Sequence, residues 1–182
     1  MRRIYGMKGY KVCRIEHVPL DYLATAYNAR DLITKFCCLV ELEIPQNARI
    51  VRHESNSKMR CDRAFVQSIR RIAAAEEGLY AAETSLEMAW PLYTFNDFTV
   101  YVPNCWTYPD SFDDNEGVAC SHGIHFFATE HEAFDFIIET IRGMYYTRLM
   151  KYLEKMRLCS MQGSFWDTDK SRVNAMPRKQ YS

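Results

Sequence analysis

Residues 37–44, CCLVELEI, begin apolar and then alternate, with Leu39, Glu41 and Glu43 set against Val40, Leu42 and Ile44. A period of two puts successive side chains on opposite faces of a strand. Pro45 removes a ladder donor and ends it, and 45–53, PQNARIVRH, turns into another short extended piece. The same period runs through 8–18, KGYKVCRIEHV, where Tyr10, Val12 and Arg14 oppose Lys11, Cys13 and Ile15. Residues 97–103, DFTVYVP, and 122–128, HGIHFFA, complete the predicted strands. Residues 19–34, opened by Pro19, predict a short helix or loop. Residues 59–72 hold enough β-branched positions for a strand, whereas RRIAAAEEG after them predicts a helical end stopped by Gly78. Arg70 and Arg71 then lie on a solvated helix face.

From residue 129 the period changes. Thr129 followed three residues later by Glu132 is a capping box, which starts a helix. Phe134, Ile137, Ile141, Met144, Tyr145, Tyr152 and Met156 then recur at helical steps as an apolar stripe. Gly143 weakens the middle of this helix by about 1 kcal/mol relative to alanine and marks a bend. Residues 160–182 show no period, yet contain Phe165, Trp166 and Tyr181, which are too apolar for a purely solvated segment. These three are the candidate partner-docking residues. The pattern predicts an α+β fold: one domain over 1–159 with a mostly antiparallel sheet, including a long amphipathic helix over about 130–157, and an extended tail over 160–182.

Lys and Arg total 23 and Asp and Glu total 23. Without net charge the chain has no global field toward nucleic acid or an anionic membrane, and no apolar run spans a bilayer. Direct nucleic-acid binding and a membrane span are therefore not expected. Seven cysteines are scattered without a CxxC pair, and the N-terminal segment lacks the apolar core of a signal peptide. Free, mostly buried thiols in a reducing intracellular setting follow.

Candidate chemistry gathers in CSHGIHFFAT, 120–129. Cys120, His122 and His125 could supply up to three zinc ligands, but an extended strand would turn His125 away from the other two. Cys120 beside His122, with Asp113 or Asp114 orienting the ring, has the makings of a nucleophile pair, but the helix that could activate a thiolate begins only at Thr129. The reading that explains more is a strand feeding a capped helix. Gly123 permits a close backbone approach, Ile124 and Phe126 share one face, and His125 and Phe127 share the other. His125 is then a sheet-face histidine with a hydrogen-bond partner. Asp110, Asp113, Asp114 and Glu116 lack the regular ligand spacing of a calcium loop and form a solvated acidic turn. No catalytic, cofactor-binding or metal-binding residues are assigned, and no cofactor is expected.

The blocks GYKV, LVELEIPQNARIV, KMRCDRAFVQSI and YPDSFDDNEGVACSHGIHFFATEHEAF resemble, in order, those of an uncharacterised family of large eukaryotic DNA viruses. That family also occurs in phages and bacteria, sometimes beside pentapeptide repeats. The motif residues are Pro109, Asp110, Phe112, Asp113, Cys120, Gly123, Ile124, His125, Phe126 and Phe127. Met59 stands where the family tends to place a cysteine, so a thiol partner for Cys61 or Cys120 is missing. The helix beyond Arg142 and the tail lie outside the shared pattern. The resemblance implies a viral protein of the virion and host cytoplasm. With a neutral chain, no coherent catalytic constellation, and a long amphipathic helix and aromatic tail as docking elements, it is expected to act without catalysis by binding other viral proteins, capsid proteins among them, as a minor virion component. A fainter likeness of GIHFFATEHEAF to a strand of ADP-ribosyltransferases implies the alternative, an enzyme or ligand-binding domain around Cys120, His122 and the acidic loop.

Overall fold

The computed structural model describes residues 6–15, 28–52, 57–92, 99–118 and 120–161. Along them run β1 (Met7–Arg14), α1 (Ala29–Phe36), β2 (Cys37–Ile44), β3 (Ile50–Arg52), β4 (Met59–Cys61), β5 (Ala64–Ala75), β6 (Gly78–Ser85), β7 (Trp106–Thr107), β8 (Ile124–Phe126) and α2 (Glu130–Met161). Asn28 caps α1 by accepting from the Asp31 amide at 2.9 Å, so the helix starts late in the segment where a helix or loop is expected. Residues 16–27 lie outside the described residues.

The alternation in β2 builds the first sheet, ordered β1-β2-β5-β6, with β7 also on β5. Every neighbouring pair is antiparallel. One face of β2 turns Cys37 and Leu39 toward Val12, Ile72 and the helix residues Leu32, Ile33, Phe134, Ile137 and Ile141. The other turns Cys38, Val40, Leu42 and Ile44 into a second cluster with Cys13, Val66 and Ile69. Both faces are therefore covered, which is why β2 begins as a continuous apolar run.

The helical end expected after residue 69 does not form. Residues 64–75 are strand, and Glu76 and Glu77 turn the chain back into β6, with Ala73 opposite Tyr80 and Ala75 opposite Gly78. Val66, Ile69 and Ile72 stand three apart, a helix-like spacing, but a bulge at Gln67 produces it. The extra residue leaves Val66 and Ile69 on one face, and Ile72 then falls on the other. Pairing with β6 overrides the helix propensity of the alanines. Arg70 is accordingly a strand residue, half-buried, bonded to Glu130 of α2 at 2.9 Å and 3.8 Å from Glu41. A strand also appears within the expected loop 104–121, as β7, while 97–98 lie outside the described residues and Tyr101 makes only an isolated bridge.

The second sheet is antiparallel, ordered β3-β4-β8. It meets the first at the outer edge of β1, where Tyr10 and Phe127 exchange backbone hydrogen bonds of 2.8 Å in both directions. Phe126 lies over β1 at Gly9, where a Cβ would stand 2.7 Å from the ring. Further along the same edge Arg14 exchanges bonds with Trp90, and Ala89 with Tyr101. Met59, Cys61, Ile124 and Phe126 thus share the cluster of the first sheet's second face.

The capping box forms as predicted. The Thr129 amide donates to Glu132 Oε2 at 3.0 Å and the Glu132 amide to Thr129 Oγ1 at 3.2 Å. Phe134, Ile137 and Ile141 of the predicted stripe are buried and Met144 is half-buried, while the side chains of Tyr145, Tyr152 and Met156 lie outside the described residues. Residues Met1–Met144 form one compact unit and Tyr145–Ser182 another. In the second unit the helix continues to Met161 and exposes Tyr146 by 66%, Met150 by 63% and Leu153 by 50%. Phe165, Trp166 and Tyr181 fall outside the described residues.

Thr129→Ala should destabilise the protein by about 1 kcal/mol, the usual cost of a lost cap. For a chain of this size that lowers Tm by about 2–4 °C in a thermal melt followed by circular dichroism. An unchanged Tm would show that the capping box contributes nothing to folding.

Candidate functional site

Strand β4 is the starting point. Met59 and Cys61 point into the core, so Arg60 between them faces the other way, opposite His125 of β8. Arg60 is nevertheless only 2% exposed. Its guanidinium reaches three backbone carbonyls of the acidic loop: Nε donates to Asp113 O at 2.8 Å, Nη1 to Val118 O at 2.6 Å and Nη2 to Asn115 O at 2.5 Å. A planar fork of donors suits three oxygens along a curved loop, as a lysine ammonium would not.

The loop then closes on itself. Asp113 accepts from the Ser121 hydroxyl and from the Asn115 amide at 2.9 Å, and its own amide donates to His122 O at 3.1 Å. The Ser121 hydroxyl, then the Asn115 amide, hold the Asp113 carboxyl below its ordinary range, with the charges of Arg60 and His122 acting the same way. Asn115 Oδ1 takes the Gly117 amide at 3.0 Å. The acidic turn is therefore a built loop around a buried arginine as well as a solvated one.

Gly123 makes room for this arrangement. Its φ is +140°, and a Cβ there would stand 3.2 Å from both Arg60 Cβ and the Phe112 ring. The stem of Arg60 crosses where a side chain at 123 would lie. The Arg49 guanidinium lies over the Phe112 ring, 4.7 Å from its centroid.

The strand expected over 122–128 begins only at Ile124, because the Gly123 conformation breaks it. The alternation that set Cys120 and His122 on one side therefore does not apply. Ile124, Phe126 and Phe127 are core residues, and Phe127 packs on Phe136 of α2 at 5.1 Å between centroids. His125 is on the face away from Ile124 and Phe126, as expected, but its expected partner is missing. Its Nε2 is buried and unbonded. Burial first, then the charges of Lys11, Lys58 and Arg60, push its pKa down to about 3. His125 is thus a neutral ring among cations. His122 Nδ1 is likewise buried without a hydrogen bond, and Asp110 Oδ1 is the carboxylate oxygen that approaches it, at 3.8 Å. Asp113 is engaged by Ser121 and Asn115, and Asp114 is exposed and 3.9 Å from Arg49. Pro109 lies in the same loop.

Cys120 is exposed and its Sγ accepts from Lys58 Nζ at 2.8 Å. Among the described residues no group of three or more His, Cys, Asp and Glu side chains stands together as a metal would need. Of the residues singled out in the sequence, Asp113, Gly123 and His125 come together around Arg60, whose role the sequence reading missed, while Ile124, Phe126 and Phe127 lie in the core. The available signal was a lone arginine between two core residues of a strand, placed so that only a partner loop could keep it from water.

Residues 5–133 match the model of DUF5758, a family of unknown function, and the chain belongs to that family. No curated protein and no solved structure matches it.

Gly123→Val should unfold or strongly destabilise the protein, by about 1–3 kcal/mol, since it combines a strained φ with a clash on Arg60. Urea unfolding measures this, and an unchanged midpoint would remove the glycine from the account. His125 gives a pH signature. Above an unfolded-chain pKa of about 6.5 the ring is neutral in both states. As pH falls below that value the unfolded chain gains a proton that the folded ring refuses, so stability drops until about 3. His125→Gln should flatten this part of the stability curve, and an identical slope in both proteins would contradict it.

Proposed function

We propose that this DUF5758 chain is a non-enzymatic binding protein, a minor structural component of the virion of a large DNA virus, and that the distal half of α2 is its docking element. The observation that carries the proposal is the exposed row Tyr146, Met150 and Leu153, spaced four and three residues apart along one helix. Such spacing places the three on one face, the form in which a helix fills an apolar groove. Charge narrows the partner. Residues 145–182 hold eight Lys and Arg against three Asp and Glu, leaving the rest of a neutral chain acidic. The partner is a protein with an apolar groove rimmed by carboxylates, and in a particle this is a capsid protein. The Arg60 loop supports the same division of labour. Arg60, Asp113, Asn115 and Ser121 are engaged with one another, in keeping with a scaffold whose binding chemistry lies elsewhere.

A second reading, a ligand-binding or ADP-ribosyltransferase-like domain, draws on the unbonded His122 Nδ1 and His125 Nε2. A rise in Tm on saturation with nicotinamide adenine dinucleotide would favour it over the first.

Replacing Tyr146, Met150 and Leu153 together by alanine should leave the melting of the 1–144 unit intact. Incorporation into purified particles should fall at least tenfold. Wild-type incorporation of the triple variant would end the docking proposal.

A further inference from the structure

Six cysteines can be compared by environment. Cys13, Cys37, Cys38 and Cys61 are buried, and burial raises the thiol pKa of Cys37, of Cys38 and of Cys61, the last to about 12. These are inert core thiols. Cys105 and Cys120 are exposed, and of these two Cys120 has an amine against its sulfur. Lys58 Nζ stands 2.8 Å from Cys120 Sγ and is steadied by the face of Phe136, 5.2 Å from the ring centroid. The two residues are 62 positions apart, one just before β4 and the other in the loop leading to β8. The same two segments are held together by Arg60.

We infer that Lys58 and Cys120 form an oxidation-sensitive covalent switch, in which a hydroperoxide converts the pair into a sulfenamide cross-link. The Cys120 thiolate attacks one peroxide oxygen; the S–O bond forms, the O–O bond breaks, and hydroxide leaves. That hydroxide takes a proton from the Lys58 ammonium and departs as water. The free Lys58 amine then attacks the sulfenic sulfur. The S–N bond forms, the S–O bond breaks, and the second hydroxide leaves with a proton from nitrogen as water. The sulfur is oxidised by two electrons and the peroxide is reduced, and a thiol reductant reverses the product. Lys58 thus supplies first the proton and then the nucleophile, which the contact distance allows without rearrangement. The product would pin the acidic loop to β4 and so lock the Arg60 arrangement from outside.

The test is peptide mapping of the full-length protein after hydrogen peroxide treatment, with and without later reduction. The expected result is a peptide joining Lys58 to Cys120, lighter than its two parts by two hydrogens, abolished by dithiothreitol. It should be absent from Lys58→Arg and from Cys120→Ser, both of which should keep the parent Tm, since Arg retains the cation over Phe136 and Cys120 is exposed. In Lys58→Arg, Cys120 should instead proceed to sulfinic acid. Cys105, exposed and without this amine, should give no lysine adduct. Oxidation of Cys120 in the parent to sulfinic acid alone, or no oxidation of Cys120 at peroxide levels that modify Cys105, would overturn the inference.

Discussion

A buried guanidinium has to be met by acceptors, and the way Arg60 meets this requirement sets the shape of the region around it. Desolvating a charge is costly unless its donors are bonded. Here the acceptors are three main-chain carbonyls, not a carboxylate. Main-chain acceptors fix the path of the loop itself. Once Asp113, Asn115 and Val118 face one point, the loop must curve, Gly123 must lack a side chain, and Phe112 must stack beside it. Hydrogen bonds to a charged group contribute about 1.5–3 kcal/mol each, enough for this cluster to matter to a marginally stable fold.

The sheets supply the platform. β4 can present Arg60 rigidly because Met59 and Cys61 on either side are sealed in a core shared with β1, β2 and β5. β8 can hold Gly123 in place because the next residues pair with β4 and then, at Phe127, with β1. Phe127 leads directly into the capping box of α2, so the same short run closes the sheet and launches the helix. The segment from Gly123 to Phe127 and the start of the long helix are one mechanical unit, while the exposed apolar row Tyr146, Met150 and Leu153 belongs to the second unit, Tyr145–Ser182.

The elements legible in the sequence were those whose local pattern and tertiary environment agree. β2 alternates because its two faces meet different clusters, and Thr129 with Glu132 caps a helix through contacts three residues apart, so both could be read directly. β5 was legible only in its first part: the β-branched positions before residue 72 allow a strand, but the alanines and Gly78 after Arg70 predict a helical end, and only the pairing with β6 reveals that the strand continues. The site was half legible. The motif and the need for glycine at 123 are visible in the chain, but the arginine that explains both is 63 residues away from that glycine, and nothing local links them. His125 was assigned the correct face, but the hydrogen-bond partner expected of it is missing at Nε2, and the charged groups around it are cations from β1, β4 and the residue before β4.

The central claim is that the motif loop exists to be held by Arg60. Arg60→Lys tests it most directly, since it keeps the charge and removes the fork. Equilibrium urea unfolding of the full chain should show a loss of about 3–6 kcal/mol, from two charge-assisted bonds that a lysine cannot make, with an unchanged m-value. A variant as stable as the parent would contradict the claim and mark Arg60 as a residue kept for something other than the fold.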